Sequence, residues 1–104
     1  MAAFIENTGS GLARWEQAID QGSRGIGVVC YSCMLDGVRG QVSLSSRLGR
    51  WMQAISDVAD GDTSKACLLI DYLKAAGGEV SLSSPFGRWA LRVSARFCGS
   101  PLGF

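Results

Sequence analysis

Cys30 and Cys33 form a C-x-x-C in a chain that has four cysteines and no histidine. That spacing serves dithiol redox centres and zinc half-sites. Redox work needs an easily formed thiolate, which the apolar flanks Val28-Val29 and Met34-Leu35 disfavour. Zinc needs further ligands, and only the isolated Cys67 and Cys98 remain. The four cysteines therefore read as reduced thiols acting as small hydrophobes, with no metal, no cofactor and no disulfide expected. No carboxylate pair, serine elbow or phosphate loop stands at a diagnostic spacing, so the chain is not expected to be an enzyme. The runs Ser43-Leu44-Ser45-Ser46 and Ser81-Leu82-Ser83-Ser84 read as caps and turns.

Arginine is the other residue type that could act on a partner. Arg14, Arg50 and Arg88 each precede a tryptophan, and Arg92 and Arg96 continue from Arg88 at intervals of four with no acidic residue after Glu79. On a helix this last group makes a basic stripe; on a strand it shares one face, as in arms that touch phosphates. Arg14, Arg50 and Arg88 predict a row along one face, open to an acidic partner.

The elements that must position these arginines are marked by an internal repeat. Nine of the twelve residues in 40–51 recur in order in 78–89, and 10–19 matches 46–55 at seven of ten positions. Trp15, Trp51 and Trp89 are thus one repeat position, 36 and 38 residues apart. Such periods mark stacked supersecondary units. Leu12, Trp15 and Ile19 recur at helical spacing after a Ser10 cap, with Gly22 as the stop. Leu48, Trp51, Met52, Ile55 and Val58 make the cleanest helical stripe, capped by Ser45 or Ser46. A further helix opens at Asp62 or Thr63 and turns Ala66, Leu69, Ile70 and Leu73 inward. Two stretches fit two readings. Residues 26–44 read as a helix burying Ile26, Val29, Cys30 and Cys33, or as a hairpin turning at Asp36-Gly37. Residues 85–97 alternate like a strand but also carry a helical face, Phe86, Trp89, Ala90, Val93 and Phe97, behind a Ser84-Pro85 start. Their match to 46–55 favours helix.

With 104 residues, 47% of them hydrophobic and 18% charged, the chain is expected to form one domain with a modest core. A formal charge of +1 supplies no global field to draw nucleic acid or an anionic membrane. No export signal or membrane span is read at the start of the chain, so a cytoplasmic protein is expected. The reading is a mainly α domain over 10–97, built from a repeated helical unit of about 37 residues, with an arm at 1–9 and a tail at 98–104.

At pattern level, residues 27–97 resemble a winged-helix DNA-binding domain, and this gives the alternative α+β reading. The order carries it: a helix ending at Gly40, a strand at 41–44, a helix to Val58, a helix opening Thr63-Ser64-Lys65, and a wing over 78–97. The resemblance implies a transcriptional regulator with Ser64 and Lys65 near bases and Arg88, Arg92 and Arg96 near phosphates. The near-neutral charge and the carboxylates of Asp60 and Asp62 ahead of Thr63 favour a protein partner instead. The preferred function is a non-enzymatic adaptor or inhibitor, of the kind phages and plasmids encode. It docks on a macromolecular partner through Arg14, Arg50, Arg88, Arg92 and Arg96.

Overall fold

Serine hydroxyls fix where two of the long helices begin. In the computed structural model, which describes residues 11–25 and 30–98, Ser46 Oγ accepts from the Gly49 amide and Ser84 Oγ from the Gly87 amide, each at 3.0 Å. Each bond satisfies an amide that a helix start leaves orphaned. Both hydroxyls donate in turn to a carbonyl three residues back, Ser43 or Ser81, at 2.6 Å. The S-L-S-S backbone is thereby held against the first helical turn. A Cβ at Gly49 or Gly87 would come within 2.1 or 2.2 Å of those carbonyl oxygens, so only glycine fits.

The elements in order are α1 (Gly11–Ser23), α2 (Tyr31–Asp36), α3 (Arg47–Ala59), a 3-10 helix (Thr63–Leu68), α4 (Leu69–Ala76) and α5 (Pro85–Phe97). The long helices α1, α3 and α5 have thirteen residues each. Trp15, Trp51 and Trp89 occupy the same place in them, four residues after the first. Their indoles meet at the centre with centroids 5.8, 6.1 and 6.2 Å apart and ring planes at 79°, 79° and 84°. Each edge-to-face pair adds about 0.5–1.5 kcal/mol beyond area burial. Leu12, Ile19, Met52, Ile55, Leu69 and Leu73 close around them, all buried. The radius of gyration, 12.4 Å, is close to the ~13 Å of a compact 100-residue domain. The protein is a small, compact, mainly helical single domain.

Side chains of later segments cap the earlier helices. Gln41 Oε1 accepts from the Leu12 amide at 2.8 Å, and Glu79 Oε1 accepts from the Leu48 amide at 3.0 Å. The Gln-for-Glu difference between the two twelve-residue stretches therefore preserves the acceptor that each helix start needs.

Several expectations are corrected. Among the described residues there is no strand, so the α+β alternative and the winged-helix resemblance fail. The supposed strand at 41–44 is a turn in which the amides of Gln41 and Val42 both donate to the Val38 carbonyl. The supposed wing is a turn followed by α5. Asp36-Gly37 makes no hairpin because Gly37 has φ −68° and closes α2, whereas a type I′ turn needs positive φ. The first helix of that stretch stops at Asp36, short of Gly40.

The cysteine expectation also fails. Tyr31 and Leu35 form the buried side of α2, which turns Cys30 and Cys33 outward. They are joined as a disulfide, and Cys67 is exposed rather than in the core. Ala66 and Ile70 are only half-buried, while Leu69 and Leu73 are core residues as read. The arm at 1–9, the Ser10 cap, Ile26, Val29 and the tail beyond Cys98 lie outside the described residues. No helix among the described residues is long and apolar enough to cross a membrane.

Candidate functional site

The helical face of α5 buries Phe86, Trp89, Ala90 and Val93 and leaves Arg88, Arg92 and Arg96 exposed at intervals of one turn. Where α5 runs beside α1, this division opens a cleft of about 200 Å³. Trp89, Arg92, Val93 and Arg96 form one wall; Asp20, Ser23 and Arg24 form the other. The cleft continues along α1 as a wider hollow reached by Ala13, Glu16 and Gln17.

Hydrogen-bond donors dominate this lining, and their partners differ. Arg24 pairs with Asp20 at 3.0 Å. Arg96 Nε donates to the Ser23 carbonyl, tying the last turn of α5 to the end of α1. Ser23 Oγ donates to the Asp20 carbonyl at 2.8 Å. Arg92 is exposed, with no ion-pair or hydrogen-bond partner among the described residues. Trp89 is 7% exposed, and its indole N–H is buried without an acceptor among the described residues. Burial, followed by the nearby charge of Asp20, raises the pKa of Glu16 from its ordinary value.

The arginines singled out from the sequence divide into separate places. Arg92 and Arg96 share the cleft. Arg14 lies in a hollow with Cys33, Met34 and Gly37 beside α2, and Arg50 in another with Arg47, Tyr72 and Ala75 beside α4. Each of these two sits against a short α-helix that lies between its own long helix and the next. Arg88 is exposed on α5.

Ser64 and Lys65, which the winged-helix resemblance placed near DNA bases, have structural partners instead. Ser64 donates through amide and hydroxyl to Asp62, which caps the 3-10 helix. Lys65 Nζ binds Asp57 at 3.0 Å, and that bond raises its pKa. Asp60 accepts from the amides of Tyr31 and Ser32 and so caps α2 across the chain. The acidic turn ahead of Thr63 is thus made of helix caps.

Sequence reasoning missed Trp89 as a cleft residue, and with it Asp20, Arg24 and Glu16. One signal was available. The fifth residue after each tryptophan is Asp20, Ser56 and Ser94, and only the first of these is charged. Among the described residues no group of three or more His, Cys, Asp or Glu side chains stands ready for a metal ion. What the cleft offers is donors to an acceptor-rich group. Comparison with protein-family models, with curated proteins and with solved structures found no significant match to the chain.

Proposed function

We propose that this protein is a non-enzymatic interaction protein, a small adaptor or inhibitor, which docks on a protein partner through the cleft between α1 and α5. One observation carries the reading: the cleft is lined by Arg92, exposed and without an ion-pair or hydrogen-bond partner among the described residues, and by Trp89, whose buried indole N–H lacks an acceptor among them. Arginine and tryptophan are the side chains that most often dominate interface energetics. The near-neutral net charge supports a protein partner over nucleic acid, whose binding rests on many phosphate contacts. We also read the domain as a helical unit of about 37 residues repeated along the chain. The matching caps at Ser46 and Ser84 and the common place of the three tryptophans support that reading.

Affinity capture from extract of the native host, with and without nuclease, tests the docking reading. The same protein partner is expected in both cases, and it is expected to be lost with Arg92→Glu. A partner released by nuclease, or held equally by Arg92→Glu, contradicts it.

A further inference from the structure

The junctions among the three long helices use one device, and two of them are complete. Trp15 Nε1 donates to Ser56 Oγ at 2.7 Å, and Trp51 Nε1 donates to Ser94 Oγ at 2.6 Å, all four groups buried. Each acceptor is the fifth residue after the next tryptophan along the chain. Continued round the triad, the same rule assigns Trp89 to the fifth residue after Trp15, which is Asp20. Asp20 turns instead to Arg24, and the Trp89 N–H has no acceptor among the described residues. A buried N–H without an acceptor costs about 1–3 kcal/mol, so an acceptor delivered from outside gains what the other two junctions already have.

We propose that the α1–α5 cleft is a carboxylate-binding subsite, in which the Arg92 guanidinium takes one acidic side chain presented by the protein partner and Trp89 Nε1, closed to solvent as the domain stands, joins it once the side chains of the cleft move aside. The proposal rests on the docking reading above and names the chemistry the partner presents. Trp89 and Arg92 stand three residues apart on α5, so they are neighbours where its buried face meets its exposed one. Arg24 and Arg96 each have an acceptor, Asp20 and the Ser23 carbonyl, whereas Trp89 Nε1 and Arg92 have none among the described residues.

Charge selects the class of anion. Arg24, Arg92 and Arg96 line the joined hollows together with Asp20 and Glu16, one positive side chain more than negative. A singly charged carboxylate matches that balance, whereas the second charge of a phosphate meets Asp20 and Glu16. Size agrees: 200 Å³ holds about six waters' worth of liquid volume, enough for a carboxyl group on a short stem. The wider hollow along α1, about 650 Å³, leaves room for the backbone that carries it.

The test is an NMR titration of the full chain, reading the three indole N–H signals. The probe is an N-acetylated, C-amidated Gly-Gly-Glu-Gly-Gly peptide, with the Gln peptide as control. The Glu peptide is expected to move the Trp89 indole proton downfield and leave those of Trp15 and Trp51 in place; the Gln peptide is expected to do neither. Asp20→Ser supplies the internal acceptor that Ser56 and Ser94 supply elsewhere. It is expected to move the Trp89 signal without peptide and to weaken peptide binding roughly tenfold or more. A Trp89 signal indifferent to the Glu peptide, an equal response to Gln, or full binding by Asp20→Ser overturns the assignment. If Arg92→Glu abolishes partner capture while Trp89 stays silent, this assignment alone fails. Capture indifferent to Arg92→Glu removes the docking reading beneath it.

Discussion

Trp51 and Ser94 are 43 residues apart in the chain and meet at the centre of the domain, indole N–H to hydroxyl, at 2.6 Å. Both are buried, so the bond is shielded from water on both sides. Ser94→Ala leaves that N–H unsatisfied and is expected to cost about 1–3 kcal/mol. Asp20→Ser has the opposite sign, because the exposed Arg24 pair that it removes contributes only about 0–1 kcal/mol. Trp51→Ala removes the ring itself and is expected to cost about 3–5 kcal/mol. Urea denaturation of the three variants checks the order; a neutral Ser94→Ala contradicts it.

Glu16 gives a pH-dependent prediction. Burial and, next, the charge of Asp20 raise its folded pKa. A raised carboxyl pKa means that the protonated form favours the fold. That contribution is full below the unfolded value of about 4.3 and is lost as pH rises through the folded one. Glu16→Gln is therefore expected to be more stable than wild type at neutral pH, with the difference closing as pH falls through the folded value and gone below about 4.3. Melting temperatures of both proteins across this range decide it. A stabilisation by Glu16→Gln that grows toward acid has the wrong sign.

The long helices were legible because their signals are local. Ser46 and Ser84 cap within three residues of themselves, and the stripe Leu48, Trp51, Met52, Ile55 and Val58 is buried throughout. The strand-like alternation of 85–97 was outweighed by its likeness to 46–55, and α5 is helical. The segment 31–36 was not legible on its own terms. Its first amides are satisfied by Asp60, which stands 29 residues on from Tyr31, and no local pattern shows that. The C-x-x-C misled because Tyr31 and Leu35 take the inner side of the short helix α2 and leave the cysteines on its outer side. The cleft was hidden for the same physical reason as the Asp60 cap. It exists only where the first helix meets the last, and that contact joins residues more than 70 positions apart, as from Ser23 to Arg96. The arginines of α5 were visible; their neighbours across the cleft were not.

The disulfide predicts a thiol count. Folded protein prepared without reductant is expected to react with a thiol reagent at two cysteines, Cys67 rapidly and the half-buried Cys98 more slowly. Cys30 and Cys33 are expected to become reactive only after reduction. Mass spectrometry of the alkylated protein distinguishes the cases, and modification of Cys30 and Cys33 before reduction contradicts the pairing.

Docking of the proposed partner through the α1–α5 cleft is separated from docking elsewhere by charge reversal at two arginines. Arg92 is in the cleft, whereas Arg50 lies in the separate hollow beside α4; both are exposed. The measurement is the dissociation constant of the nuclease-treated partner for wild type, Arg92→Glu and Arg50→Glu, each checked for an unchanged helical spectrum. A loss of roughly thirtyfold or more is expected for Arg92→Glu, the size of a hot-spot contact of about 2 kcal/mol, with near-wild-type binding for Arg50→Glu. Equal losses from both variants, or a loss confined to Arg50→Glu, would contradict it.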